Sequence, residues 1–161
     1  MRLEIELVPR SCWGRSLAQE LPRPLWDKLR RMIYRRYLYT CRICRAYGEE
    51  VHCHEVWKYH DGRKKIQELV DLTCLCKSCH EIKHWGRTSA ENLAGRISDD
   101  YIRSLTKHYC FVNECSAEDF LDHKVEAHEK NHWRSRFNYT LDLSKLQGLI
   151  KETERILSKR V

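Results

Sequence analysis

Apolar and polar positions along the chain follow different periods in different stretches, and each period predicts a different element. Residues 1–21 show no sustained period and read as extended or irregular. Pro22 and Pro24 then open LWDKLRRMIYRRYL, as proline does at helix starts, where the first amide hydrogens have no partner to lose. Trp26, Leu29, Ile33 and Tyr37 recur at helical spacing and are expected to face a core, with Lys28, Arg31 and Arg35 on another face. From 41 to 85 the texture shortens: CRIC, a turn at Tyr47-Gly48, the strand-like VHCHEVW, a polar turn at Asp61-Gly62, then LVDLTCLCKSCHEIKHW. Gly86 is expected to end the helix carrying HEIKH, and Thr88 with Glu91 to cap the next one. Ser116 with Asp119 marks a further helix start, and Leu143, Leu146, Ile150 and Leu157 a final amphipathic helix ending in Lys159 and Arg160.

Composition narrows the reading. A chain of 161 residues has room for one domain, or a small core with helical flanks, and not for two large cores. Thirty Lys and Arg against twenty-three Asp and Glu give a formal charge of +7, the sign suited to phosphate backbones and also to plain solubility. No run approaches the roughly eighteen apolar residues of a membrane span, and MRLEIELVPR has acidic residues where a signal peptide needs an apolar run. A cytoplasmic protein is expected, with no membrane partner. In a reducing compartment nine cysteines are better explained by metal than by disulfides.

Spacing supports metal. Cys41-x2-Cys44 and Cys76-x2-Cys79 are two knuckles that together offer the four thiolates of a tetrahedral zinc site, separated by about thirty residues, enough for a β-hairpin. CKSCH also matches a c-type haem attachment motif, but that reading lacks an export signal and leaves Cys41 and Cys44 without a purpose. HEIKH is a literal HExxH, the zinc motif of metalloproteases, although here His80 directly follows a knuckle cysteine. A third reading uses everything: strand alternation puts His52 and His54 on one face, and helical spacing puts His80 and His84 together where both can hold one divalent ion.

From Cys41 to His84 these residues resemble the zinc-knotted branch of the HNH endonucleases: CxxC, a strand ending in a histidine, then LCxxCH running into a helix with a nearby lysine. The flanks, CWG at 12–14, Trp26-Asp27 and the late YTLDL, are similar to bacterial and phage members. The resemblance implies an α+β fold: a small ββα-metal core with a four-cysteine zinc knot over 41–86, an N-terminal extended segment and basic helix over 1–40, and C-terminal helices over 87–161. It implies DNA hydrolysis, with His54 as general base and His80 and His84 holding a catalytic Mg2+, Mn2+, Ni2+ or Zn2+. Members often carry Asp or His before the base, where this chain has Cys53, so alternation makes His52 the preferred further ligand. Asp71 stands at the family's middle Asn.

DNA is thus the expected partner, with a second copy of the chain or another bacterial or phage protein as further candidates. Lys28, Arg31, Arg35, Arg42 and Arg45, interleaved with tyrosines, are the expected phosphate contacts, joined by Lys83. His108, His123, His128 and His132 with Cys110 and Cys115 match no standard knuckle. Leu121, Val125, His128 and His132 fall on one helical stripe and are expected at a core edge. The competing function is a zinc module that binds DNA or protein without catalysis.

Overall fold

The computed structural model describes residues 3–48 and 50–159, so the expectation placed on Arg160 lies outside the described residues. The fold is α+β. In chain order it comprises a 3-10 turn (Arg10–Cys12), α1 (Leu17–Glu20), α2 (Arg23–Arg36), β1 (Val51–His60), β2 (Ile66–Cys76), α3 (Lys77–Lys83), α4 (Trp85–Leu93), α5 (Asp99–Asn113), α6 (Ala117–Arg134), β3 (Thr140–Asp142) and α7 (Leu146–Ser158). No helix among the described residues is long and apolar enough to cross a membrane.

β1 and β2 form an antiparallel hairpin with His54 opposite Thr73; the pairing shifts between Val56↔Asp71 and Trp57↔Leu69, leaving Val70 as the extra residue of a bulge. The sequence pattern did not announce β3, which pairs parallel to β2 at Ile66↔Thr140. Among the described residues, buried side chains gather in two clusters. Leu29 and Ile33 of α2 and Leu146 of α7 pack with Val51, Leu69, Leu72 and Cys74 of the hairpin, with Cys53 at the margin. Leu75, Cys41, Cys79 and Ile82 pack instead with Leu105, Tyr109, Phe120 and Trp85 from α4, α5 and α6. Alternation along β1 turns Cys53 toward the first cluster and His52 and His54 away from it.

An N-terminal strap closes the second cluster. Leu3 and Ile5 are buried in it, and the backbone between is tied to three helices. The Leu3 N–H donates to Asn113 Oδ1 at 3.1 Å while Asn113 Nδ2 donates to the Leu3 carbonyl at 2.9 Å. The Ile5 N–H donates to His123 Nε2 at 2.9 Å, and the Glu6 N–H to the Lys83 carbonyl at 2.8 Å. Buried amides need partners, and here side chains supply what a neighbouring strand would.

Three local expectations are corrected. Gly86 does not end the HEIKH helix: α3 stops at Lys83, and Gly86 lies inside α4, where a Cβ would meet Leu7 Cδ2 at 3.1 Å, so the missing side chain lets the strap approach. Thr88 is not a cap; it is buried mid-helix and donates to the Glu81 carbonyl at 2.9 Å. On α6 the core side is set by Phe120, edge-on to Trp85 at 5.0 Å, and the stripe one residue further on is solvated, with Leu121 53 % and Val125 57 % exposed and His128 and His132 exposed as well. The Ser116/Asp119 capping box is present as expected.

Candidate metal centres

The first knuckle is shaped by the Cys41 N–H donating to the Ala46 carbonyl at 2.8 Å and by Arg45 in the left-handed region at φ 65°. The Arg42 N–H donates to the Cys74 carbonyl at 2.9 Å and pins that knuckle to β2. The second begins at the last residue of β2 and ends in the first turn of α3, so one strand-to-helix junction presents Cys76 and Cys79 together. The four sulfurs of Cys41, Cys44, Cys76 and Cys79 lie within 4.8 Å of one another, Cys44 and Cys76 at 3.5 Å. A tetrahedral ion with metal–sulfur bonds of about 2.3 Å sets its sulfurs about 3.8 Å apart, so the set fits a closed four-thiolate site.

The thiols hydrogen-bond one another. Hydrogen bonds from Cys76 and Cys79 pull the Cys41 thiol far below its usual value, and the hydrogen bond with Cys41 pushes Cys76 up to about 12. A cation would lift that restraint and let all four ionise. His108 Nε2 lies 3.2 Å from Cys79 Sγ, a contact from α5 to the edge of the knot.

The second centre is made of imidazoles. His54, His80 and His84 each offer a ring nitrogen within 4.8 Å of the others. Their rings stand edge to face, 4.6 Å apart for His80 and His84, 5.0 Å for His54 and His84, and 5.5 Å for His54 and His80. His52, the further ligand the resemblance suggested, lies outside this group and stacks on His80 at 4.8 Å, nearly parallel. Burial holds His80 down to about 2 and His84 to about 4, so both are neutral lone-pair donors at pH 7. Nδ1 of His54, Nδ1 of His80 and Oγ1 of Thr73 are buried without a hydrogen-bond partner. Three imidazoles with ring nitrogens within 4.8 Å of one another fit a divalent cation.

Glu6 explains how His54 is held. Its Oε2 lies 2.9 Å from His54 Nε2, and its Oε1 accepts from Lys83 Nζ at 2.5 Å. Burial alone would raise this carboxyl, but the hydrogen bond from His54 and the charge of Lys83 bring it down to about 2. Lys83 is therefore corrected as a DNA contact: it is buried inside the core as the counter-ion of Glu6. Glu6 was not anticipated, although Leu3-Glu4-Ile5-Glu6 carries the strand-like alternation of a segment with one buried face.

The other basic residues expected at phosphates lie away from the imidazoles. Lys28, Arg31 and Arg35 are exposed on α2, whose apolar side packs on the hairpin face opposite to His54. Lys28 lies 3.8 Å from Glu154 on α7, and Arg42 stacks over Tyr37 at 5.2 Å; Arg42 and Arg45 are exposed on the first knuckle. Positive charge near the imidazoles comes from elsewhere. A cleft of about 620 Å³ between the strap, β1 and α6 contains His54 and His84 in its wall together with Arg15, Lys58, Arg87, Lys130 and Arg134.

Two rival motifs find other uses. Glu81, which a metalloprotease would aim at water, accepts from Tyr101 OH at 2.5 Å. The haem cysteines Cys76 and Cys79 are grouped with Cys41 and Cys44. Asp71 stays out of the histidine group and caps the bulge, its Oδ1 accepting from the Leu72 N–H at 2.8 Å. Compared with protein-family models, with curated proteins and with solved structures, the chain matches none.

Proposed function

We propose that the chain is a metal-dependent phosphodiesterase that cuts DNA, an endonuclease of the HNH type it resembles, with structural zinc in the four-cysteine knot. The observation that carries this reading is the grouping of His54 from the hairpin with His80 and His84 from the following helix, beside a thiol cluster that frames that junction.

A carboxylate only accepts, so the contact with Glu6 assigns the hydrogen to His54 Nε2 and leaves the Nδ1 lone pair without a partner. His54 is then placed to take a proton from water, with Glu6 stabilising the imidazolium that results. His80 and His84 would hold the divalent ion, which when bound supplies positive charge to the scissile phosphate. Lys83 keeps Glu6 ionised and oriented, and the cleft wall brings basic side chains to the same place.

The test is cleavage of supercoiled plasmid by protein freed of loosely held metal and re-supplied with Mg2+, Mn2+, Ni2+ or Zn2+, beside His54→Ala. The expected loss in the variant is about 10²- to 10⁴-fold, with the knot's metal and the fold retained. Equal rates for the two proteins in preparations free of other nucleases would sink the mechanism. Cys53 and Asp71, at positions where the family carries a ligand and an amide, favour a second reading: a zinc module that binds DNA without cutting. It predicts salt-sensitive binding and intact plasmid with every metal.

A further inference from the structure

The cleft beside the histidines carries more information than its charge. Trp13 is 66 % exposed yet fixed, its Nε1 donating to the Val8 carbonyl at 2.9 Å. It lines the same hollow as His84, Arg87 and Asn131. Most of the cleft's acids are already engaged: Glu6 by His54 and Lys83, and Glu55 by the Leu17 N–H at 2.7 Å and Trp57 Nε1 at 3.3 Å, which leaves Glu4. Among its bases, Arg134 is engaged by Asp61 at 2.7 Å, whereas Lys58, Arg87 and Lys130 are exposed and form no ion pair among the described residues. Two amide oxygens in the wall, Gln67 Oε1 and Asn131 Oδ1, are buried without a partner, and Gln67 is only 2 % exposed.

We infer that this cleft binds an unpaired stretch of a DNA strand, with Trp13 as a base-stacking platform at its rim. The inference rests on the nuclease reading for its placement beside the scissile phosphate, and on the cleft itself for its ligand. A rigid exposed indole stacks any base, and uncompensated Lys and Arg side chains track the phosphates. Pockets of roughly 300–1,000 Å³ suit ligands of drug size, so a cleft of about 620 Å³ takes one or two nucleotides and no duplex. His54, 3 % exposed in its wall, is reached by a strand that enters the cleft and not by a double helix lying across it.

The experiment is fluorescence anisotropy of a labelled twelve-nucleotide oligo(dT) and of a labelled duplex with the zinc-loaded full chain and no other divalent metal. The single strand is expected to bind at least tenfold more tightly than the duplex. Trp13→Ala is expected to weaken single-strand binding about 5- to 100-fold, Trp13→Phe to retain most of it, and neither to change duplex binding. Lys130→Ala is expected to lower the slope of log K against log salt by about 0.7, the value for one phosphate on a single strand. Duplex binding equal to or tighter than single-strand binding, or single-strand binding unchanged in Trp13→Ala, overturns the inference. Strand binding with no cleavage under any metal defeats the nuclease reading alone, and plasmid cleavage without single-strand preference defeats this one alone.

Discussion

Glu6 Oε2 sits 2.9 Å from His54 Nε2 across 48 residues of chain, and the other oxygen of the same carboxylate holds the buried Lys83 ammonium. One side chain thus orients an imidazole and neutralises a cation. Glu6→Gln removes both services. Metal affinity or activity at the histidine centre is expected to fall about 10- to 100-fold, the usual cost of losing a carboxylate behind a ligand or base.

The same substitution has a pH signature in stability. Folding lowers the Glu6 carboxyl from 4.5 to about 2, so the folded chain binds fewer protons than the unfolded one between those values. Its contribution is complete above about pH 4.5 and is lost as pH falls through about 2. At pH 7, Glu6→Gln is expected to cost about 1–3 kcal/mol, less than a fully buried pair because Glu6 is partly exposed. Urea denaturation at pH 7 and again near pH 3 measures the gap, which should narrow on acidification.

His84→Ala and His52→Ala should separate a ligand from its neighbour. The first is expected to abolish the histidine centre's divalent-metal binding in calorimetry, and the second to change it only a few-fold, because His52 stacks on His80 outside the ligand group. Since burial keeps His84 neutral down to about 4, protons at this ligand compete only in strong acid, and affinity should not drop at the ordinary imidazole value near 6.5. A drop centred there would show that His84 is not the limiting ligand.

Cys79→Ser is expected to unfold the second cluster, not merely loosen it. The thiol is fully buried, and structural zinc contributes about 10–16 kcal/mol where it has been measured, which is comparable to the whole stability of a small domain. Loss of the bound metal by elemental analysis, together with loss of the cooperative melt, is the outcome to look for. A variant that melts like wild type would remove the knot from the fold's supports.

Arg31→Ala is expected to leave strand binding and cleavage unchanged. Its helix packs on the far face of the hairpin, away from the histidines. A salt slope that shifts with Arg31 but not with Lys130 would reverse the assignment of the binding face.

What could be read from the sequence was what local spacing encodes. Two CxxC pairs meet in space as their periods require, and so do one strand histidine, His54, and the pair His80 and His84, with His52 stacked beside them. Periodicity also found the buried side of α2, yet it tells which side of a helix is polar and not which face of a sheet the helix covers. The basic residues near the imidazoles come instead from Lys58, Arg87 and Lys130, which no local pattern joins. On α6 the error was one residue of phase, with Phe120 and not Leu121 meeting the core. Glu6 lay beyond reach for a different reason: a contact across 48 residues leaves no trace in spacing, only the hint of an alternating Leu3-Glu4-Ile5-Glu6.

The strap's bonds to Asn113 and His123 also set an order of assembly. Residues 3–6 are translated well before α5 and α6, yet the backbone of Leu3 and Ile5 is anchored by them. Every imidazole of the centre is synthesised before the anchor for Ile5, so in a growing chain the Glu6 carboxylate is held through Lys83 and His54 alone. For the proposed nuclease, the seat of the strap that carries Glu6 is complete only once synthesis has passed His123.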